Sequence, residues 1–258
     1  MSAQHPMTYA AFVARATADP DVVGLVLKGS HAHDGMATRH SDHDLYVVLA
    51  DSAHTGLAGP AGPAGLAGLD GFRSAELDLV VVTVAEFRRL GGFERYALAR
   101  SRVVLDRLDG GIAEMVAAKG WLDAAEASRV AAARLDAYAN SLYRSVKNAR
   151  DGHPLAARLD AGDSAGFLLE LLFALDRRPR PYNKYLAWEL ERFPLPGWDT
   201  RELLSTVARV AETGDADVQR ELFGRVETAV RAAGHAAVLD AWGEDLRLMR
   251  PRASDDSD

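Results

Sequence analysis

The sequence predicts an α/β (α+β) domain with a small mixed sheet, followed by an all-α helical bundle domain. Two observations carry this reading. Residues 22–27, 45–49 and 76–83 are short apolar runs rich in valine and leucine, the pattern of buried strands. From Trp121 onward apolar residues instead recur at spacings of three and four, as in Leu135, Tyr138, Leu142 and Val146, which lines one face of a helix. The 258 residues, 48% of them hydrophobic, can fill a sizeable core and suit one or two domains. The expected divisions are an α/β domain over 1–120, a helical domain over 121–250 and a disordered acidic tail over 251–258.

In chain order, residues 8–18 read as a short helix that Asp19-Pro20-Asp21 breaks before the first strand. That strand runs into Gly29 and Ser30. The second strand opens behind Asp42 and Asp44. Residues 56–71 carry glycine at every third position, which imitates collagen; five triplets cannot support a triple helix, so a flexible or polyproline-like loop is expected. The third strand, 76–83, is interrupted by Asp78. After Thr83 the signal turns helical, with candidates at 86–90, 93–101 and 112–119. The helical domain then offers 121–150, 165–176, 184–191, 201–212, 218–232 and 236–249, separated by proline or glycine breaks.

The chemistry-bearing residues concentrate in the first domain. A Gly-Ser turn at a strand end lets the backbone approach an anion closely, as a phosphate site requires. Asp42 and Asp44, two apart at the start of a strand, project from one face about 7 Å apart along the chain and can share a divalent cation. Asp78 interrupts an apolar strand, where an uncompensated carboxylate costs several kcal/mol, and a bound cation is the simplest compensation. Three carboxylates on adjacent strands suit magnesium, which takes a few carboxylates plus phosphate oxygens and water. The alternatives are plainer: Asp42 and Asp44 as solvated turn formers, and Asp78 as an edge-strand acid that discourages aggregation.

Taken together, Gly29-Ser30, a spacer of ten residues, Ser41-Asp42-His43-Asp44-Leu45 and the later Asp78 strand resemble the nucleotidyltransferase superfamily that includes polymerase beta. The match covers roughly residues 22–83 and is most similar to the aminoglycoside adenylyltransferases. The resemblance implies that Gly29 and Ser30 hold a triphosphate, that Asp42 and Asp44, with Asp78, hold magnesium, and that a third acid takes the proton of an acceptor hydroxyl. Asp78 and Glu94 compete for that last role. Two departures are visible: the residue between the paired acids is His43 where the family has an apolar one, and the spacer is one residue longer than in streptomycin-modifying members.

Four of the eight histidines, His31, His33, His40 and His43, lie in this stretch. They are either ordinary loop residues or a zinc site, but no cysteine and no paired-histidine helical spacing specifies a tetrahedral set. The lack of cysteine excludes disulfides and thiol catalysis and agrees with a cytoplasmic location. No apolar run is long enough to cross a bilayer, and no secretion signal is evident, so a soluble protein without membrane partners is expected. A net charge of -7 and a pI near 5.6 disfavour nucleic acid and favour a cationic small molecule.

The helical domain carries weaker candidates. Asn140, Arg144, Lys147 and Asp151 form a polar stripe that is either solvated or turned to neutralise triphosphate, through Arg144 and Lys147. Lys184, in a segment loosely similar to the helical half of some nucleotidyltransferase-like proteins, either binds nucleotide or caps structure. Glu170, an acid in an apolar helix, either reaches an acceptor or closes a salt bridge.

The resemblance and the residues together imply a catalytic domain followed by an acceptor-binding domain, with the site in the cleft between them. The expected activity is magnesium-dependent transfer of a nucleoside monophosphate, AMP from ATP, to a hydroxyl of a small molecule such as an aminoglycoside-type antibiotic, releasing pyrophosphate, by a monomer or homodimer. The alternatives are adenylylation of a macromolecule, protein or tRNA, and a non-catalytic nucleotide-binding protein.

Overall fold

A computed structural model describes residues 7–54 and 65–252. The expected acidic tail beyond residue 252, and the glycine-repeat loop up to residue 64, lie outside the described residues. The chain divides into two compact units, Met1–Trp121 and Leu122–Asp258.

The first unit opens with α1 (Tyr9–Ala18), capped by the Thr8 hydroxyl, which accepts from the Ala11 N–H. Strand β1 (Val22–Lys28) passes into a 3-10 turn, Gly29–Ala32, and β2 (His43–Leu49) is followed by α2 (Asp51–His54). Strand β3 (Leu77–Thr83) leads directly into α3 (Val84–Arg89). Thr83 and Glu86 satisfy each other's backbone N–H groups there in a capping box, which fixes where strand gives way to helix. A 3-10 turn, Gly92–Glu94, then precedes α4 (Arg95–Ala99), β4 (Arg102–Asp106) and α5 (Gly111–Lys119).

The four strands form one mixed sheet in the order β3-β2-β1-β4. β1 is antiparallel to both neighbours and β2 is parallel to β3. Strand alternation sends Leu25, Leu27, Leu45, Val47, Leu77 and Leu79 to one face, against Phe12 of α1. Val26, Tyr46 and Val48 point to the other, against Phe87, Leu98 and Ile112. Both faces are therefore covered, which explains why β2 reads as a continuous apolar run.

Two expectations need correction here. Residues 102–106, which lie between the expected helices 93–101 and 112–119 where the signal was read as helical in general, form a strand: the β-branched pair Val103 and Val104 lies on an edge, with alternating exposure, beside β1. The described end of the glycine repeat, Gly65–Leu69, is a 3-10 turn, not a polyproline-like loop, because Leu66 is drawn into the core beneath α1.

The second unit is wholly helical among its described residues. Helices α6 (Ala124–Arg150), capped by Asp123, and α7 (Pro154–Leu175) form its long hairpin, followed by α8 (Leu186–Arg192), α9 (Thr200–Thr213) and α10 (Ala216–Ala232). Leu135, Tyr138, Leu142, Leu168, Leu172, Phe223 and Val226 fill its core. α7 begins at Pro154 where a start at 165 was expected. The expected helix over 236–249 is instead α11 (Ala236–Asp240), a 3-10 turn and α12 (Leu246–Met249), broken at Gly243, whose φ of +54° no right-handed helix accepts. Arg178 is buried in this unit and donates to Asp176 at 2.6 Å, to Glu189 at 3.0 Å and to the Phe193 carbonyl at 2.9 Å, so its charge is paired and hydrogen-bonded. No helix among the described residues is long and apolar enough to cross a membrane.

Candidate active site

The sheet register assembles the candidate site. β1 pairs Lys28 with Asp44 of β2, and β2 pairs Asp44 with Asp78 of β3. By alternation these three side chains stand in one row on the face that carries Val26, Tyr46 and Val48. Asp42 lies just before β2, and Glu94 arrives from the 3-10 turn ahead of α4. Adjacent like charges across strands repel one another. Burial, and then Asp42, push the Asp44 carboxyl above its ordinary pKa; Asp78 and Glu94 push the same way and Lys28 opposes them. Lys28 is itself engaged elsewhere, since its ammonium donates to Glu94 at 3.0 Å.

The turn after β1 is tied to this row. Gly29 has φ +69°, the left-handed region, and the Asp44 carboxylate lies directly against it. His33, almost fully buried, holds the turn from below: a carbonyl only accepts, so His33 Nδ1 carries the proton and donates to the Gly29 oxygen at 2.8 Å. Ser30 is buried in the same turn.

The two acids that compete as proton acceptor differ in their surroundings. Glu94 Oε2 accepts from both Lys28 Nζ and Tyr46 OH, each at 3.0 Å, and Lys28 lies 4.9 Å from the Tyr46 ring centre. Asp78 pairs with Arg73 at 3.2 Å, and the Arg73 side chain is 78% exposed, so this partner can swing away into water.

His43, the departure from the family pattern, is held in a stack of three rings. Tyr9 lies 4.1 Å from it on one side and His31 3.8 Å on the other. Its Nδ1 donates to the Glu76 carbonyl at 3.2 Å, and the Tyr9 N–H donates to the Glu76 carboxylate at 2.8 Å. Burial lowers the His43 pKa, and His31 adds to that against the opposing Glu76 carbonyl. The stack fixes the residue between the two acids.

No group of three or more His, Asp or Glu among the described residues is arranged to hold a metal ion. The four histidines therefore form no zinc site, and Asp42, Asp44 and Asp78 form no closed cage. Magnesium rarely needs one, since it keeps several waters and uses one or two carboxylates plus substrate phosphates. A half-buried carboxylate disfavoured by three neighbouring acids fits such an open half-site.

The cations expected on the helical unit have local partners. Arg144 pairs with the buried Asp160 at 3.3 Å, and Lys147 lies over the Tyr143 ring at 5.6 Å. Lys184 is exposed over Tyr185 at 5.5 Å. Glu170 closes a salt bridge with Arg134. Lys28, Tyr46 and the ring stack join the site without having been expected from the sequence. A signal for Lys28 was present: as the last residue of an alternating strand it shares the face of Gly24 and Val26. No protein-family model matches the chain, and no curated protein matches it.

Proposed function

We propose that the chain is a magnesium-dependent nucleotidyltransferase that moves a nucleoside monophosphate, AMP from ATP, to a hydroxyl of a small molecule and releases pyrophosphate. The observation that carries this reading is the row Lys28, Asp44, Asp78 set against the Gly29 turn. Magnesium bound to Asp42 and Asp44 would neutralise phosphate charge there. The Gly29–Ala32 turn, with only small residues at its head, admits a phosphate close to its backbone. Asp78 accepts the proton of the acceptor hydroxyl as that oxygen bonds to the α-phosphorus and the bond from this phosphorus to the pyrophosphate oxygen breaks. Lys28 and Tyr46 hold Glu94 beside the row. In-line phosphoryl chemistry is mostly positioning and charge neutralisation, which is what such a rigid sheet end offers.

An aminoglycoside-type antibiotic is the acceptor class the resemblance suggests, and the acidic surface suits a polycation. A cytoplasmic location, where ATP is at hand, goes with it.

The test is magnesium-dependent pyrophosphate release from each NTP with a panel of aminoglycosides and lincosamides, with Asp44→Asn as control. Release with one acceptor, absent in the variant, supports the reading and names the substrate. Mg-ATP binding without release moves the acceptor to a macromolecule. Failure to bind Mg-ATP overturns it.

A further inference from the structure

α7 buries one side, through Ala157, Ala161, Ala165 and Leu168, and leaves a second apolar stripe uncovered. Leu155 is 67% exposed and Leu159 64%. One and two turns further on, the same stripe continues through Gly162 and Gly166, and a Cβ built on either glycine meets nothing within 4 Å. The spacing 155, 159, 162, 166 is four, three, four, the a/d seam of a coiled coil. Among the described residues Leu155 and Leu159 stay exposed while the packed face of α7 runs through its alanines and Leu168, and two adjacent leucines in water are an unfavourable surface.

We infer that this stripe is the interface of a homodimer in which α7 packs parallel to α7 of a second copy about a two-fold axis along the helices. The charges flanking the stripe choose both the occupant and the direction. Arg158 and Asp163 are exposed on opposite sides of the seam, five residues apart, and neither makes an ion pair or hydrogen bond among the described residues. In a parallel pair a flanking residue meets the residue five positions later on its partner, so Arg158 faces Asp163 of the second copy, twice by symmetry. In an antiparallel pair each flank meets its own kind, so Arg158 and Asp163 would lie on different flanks and no longer face each other. The leucines meet like with like, and the two glycines let the helix axes close up beyond them. The seam is short, ~17 Å at 1.5 Å per residue, so association is weak and concentration-dependent.

Sedimentation velocity of the full chain, from low to hundreds of micromolar, is expected to show a monomer–dimer equilibrium. Leu159→Asp, at an exposed site, is expected to keep the circular dichroism spectrum and melting temperature while raising the dissociation constant by about tenfold or more. Arg158→Asp weakens the dimer, and adding Asp163→Arg restores it, a rescue that loss of folding would not give. Because the sequence contains no cysteine, Leu155→Cys provides a single thiol pair. It is expected to cross-link under oxidation in the parallel dimer, whereas an antiparallel pair about the seam's midpoint separates the two thiols by roughly 16 Å. A monomer at every concentration, a dimer indifferent to Leu159→Asp, failure of the charge swap to rescue, or a dimer without the Leu155→Cys cross-link would each overturn the inference.

Discussion

An ideal Cβ on Gly29 stands 2.1 Å from Asp44 Oδ2 and 3.0 Å from Asp44 Cγ. Gly29 opens the turn directly after β1, and Asp44 is held opposite Lys28, the last residue of that strand, so a methyl group at position 29 forces the carboxylate to move. Gly29 also sits at φ +69°, where an alanine costs about 1–2 kcal/mol. Gly29→Ala is therefore expected to lower the melting temperature modestly and to push Asp44 out of place. A shift of that size costs on the order of 100-fold in turnover. Pyrophosphate release with the accepted substrate measures it, and full activity in this variant would show that the contact positions nothing.

Removing the Asp44 charge should separate stability from activity. The carboxylate stands among Asp42, Asp78 and Glu94, and its only opposing cation in that group, Lys28, is bound to Glu94. Asp44→Asn keeps the shape and deletes the repulsion. The metal-free variant is expected to melt at or above the parent temperature, by up to about 1 kcal/mol of added stability. Magnesium should raise the melting temperature of the parent and leave that of the variant unchanged, while turnover is abolished. Thermal unfolding with and without magnesium reads all three; a variant that melts well below the parent would place Asp44 among the structural acids.

Asp78 and Glu94 are distinguished by what holds them. Glu94 is clamped by Lys28 and Tyr46, whereas the partner of Asp78 is an exposed arginine. Asp78→Asn is expected to cut kcat by roughly 100- to 10,000-fold with little loss of stability, the range typical of general base removal. Glu94→Gln is expected to act chiefly on stability, through the hydrogen bond weakened at Lys28, by about 1–2 kcal/mol. The reverse pattern in kcat would transfer the proton-accepting role to Glu94.

The residues of the candidate site are unequally legible in the sequence. Gly29, Ser30, Asp42, Asp44 and Asp78 could be read from the chain because strand period and turn chemistry are local signals, and the same period placed β1, β2 and β3. What joins them is not local. The clamp on Glu94 links positions 66 and 48 residues apart, and no spacing rule announces such a contact. β4 was illegible for a related reason: five residues on an edge, sheltered by pairing with β1, carry too little pattern to compete with the helical signal around them. The first three turns of α7 were hidden by Gly162, about 1 kcal/mol worse than alanine in a helix. Packing against α6 and α9 overrides that penalty, as propensity yields to tertiary context.

The acid limb of stability is expected to depend on Glu227 of α10. Its carboxylate accepts from Arg250 in a two-pronged arrangement, Nη2 at 2.7 Å and Nε at 2.9 Å, and from Arg231 Nε at 2.9 Å, one helical turn on. The hydrogen bonds from Arg250, followed by those from Arg231, hold its pKa below the usual 4.5 against the opposing effect of burial. A carboxyl whose pKa is lowered by folding releases its proton more readily in the native state than in the unfolded one. It therefore contributes stability in full above about pH 4.5, and that contribution disappears as the pH falls through the folded value. Glu227→Gln removes the charge at every pH and should cost about 1–2 kcal/mol at neutrality. The parent and variant melting temperatures should converge as the pH is taken below 4.5, because protonation leaves the parent with a neutral acid in the same place. Melting curves from pH 7 to pH 3 measure the difference; a gap that stays constant across that range would mean that the Arg250 and Arg231 contacts act through packing and not through charge.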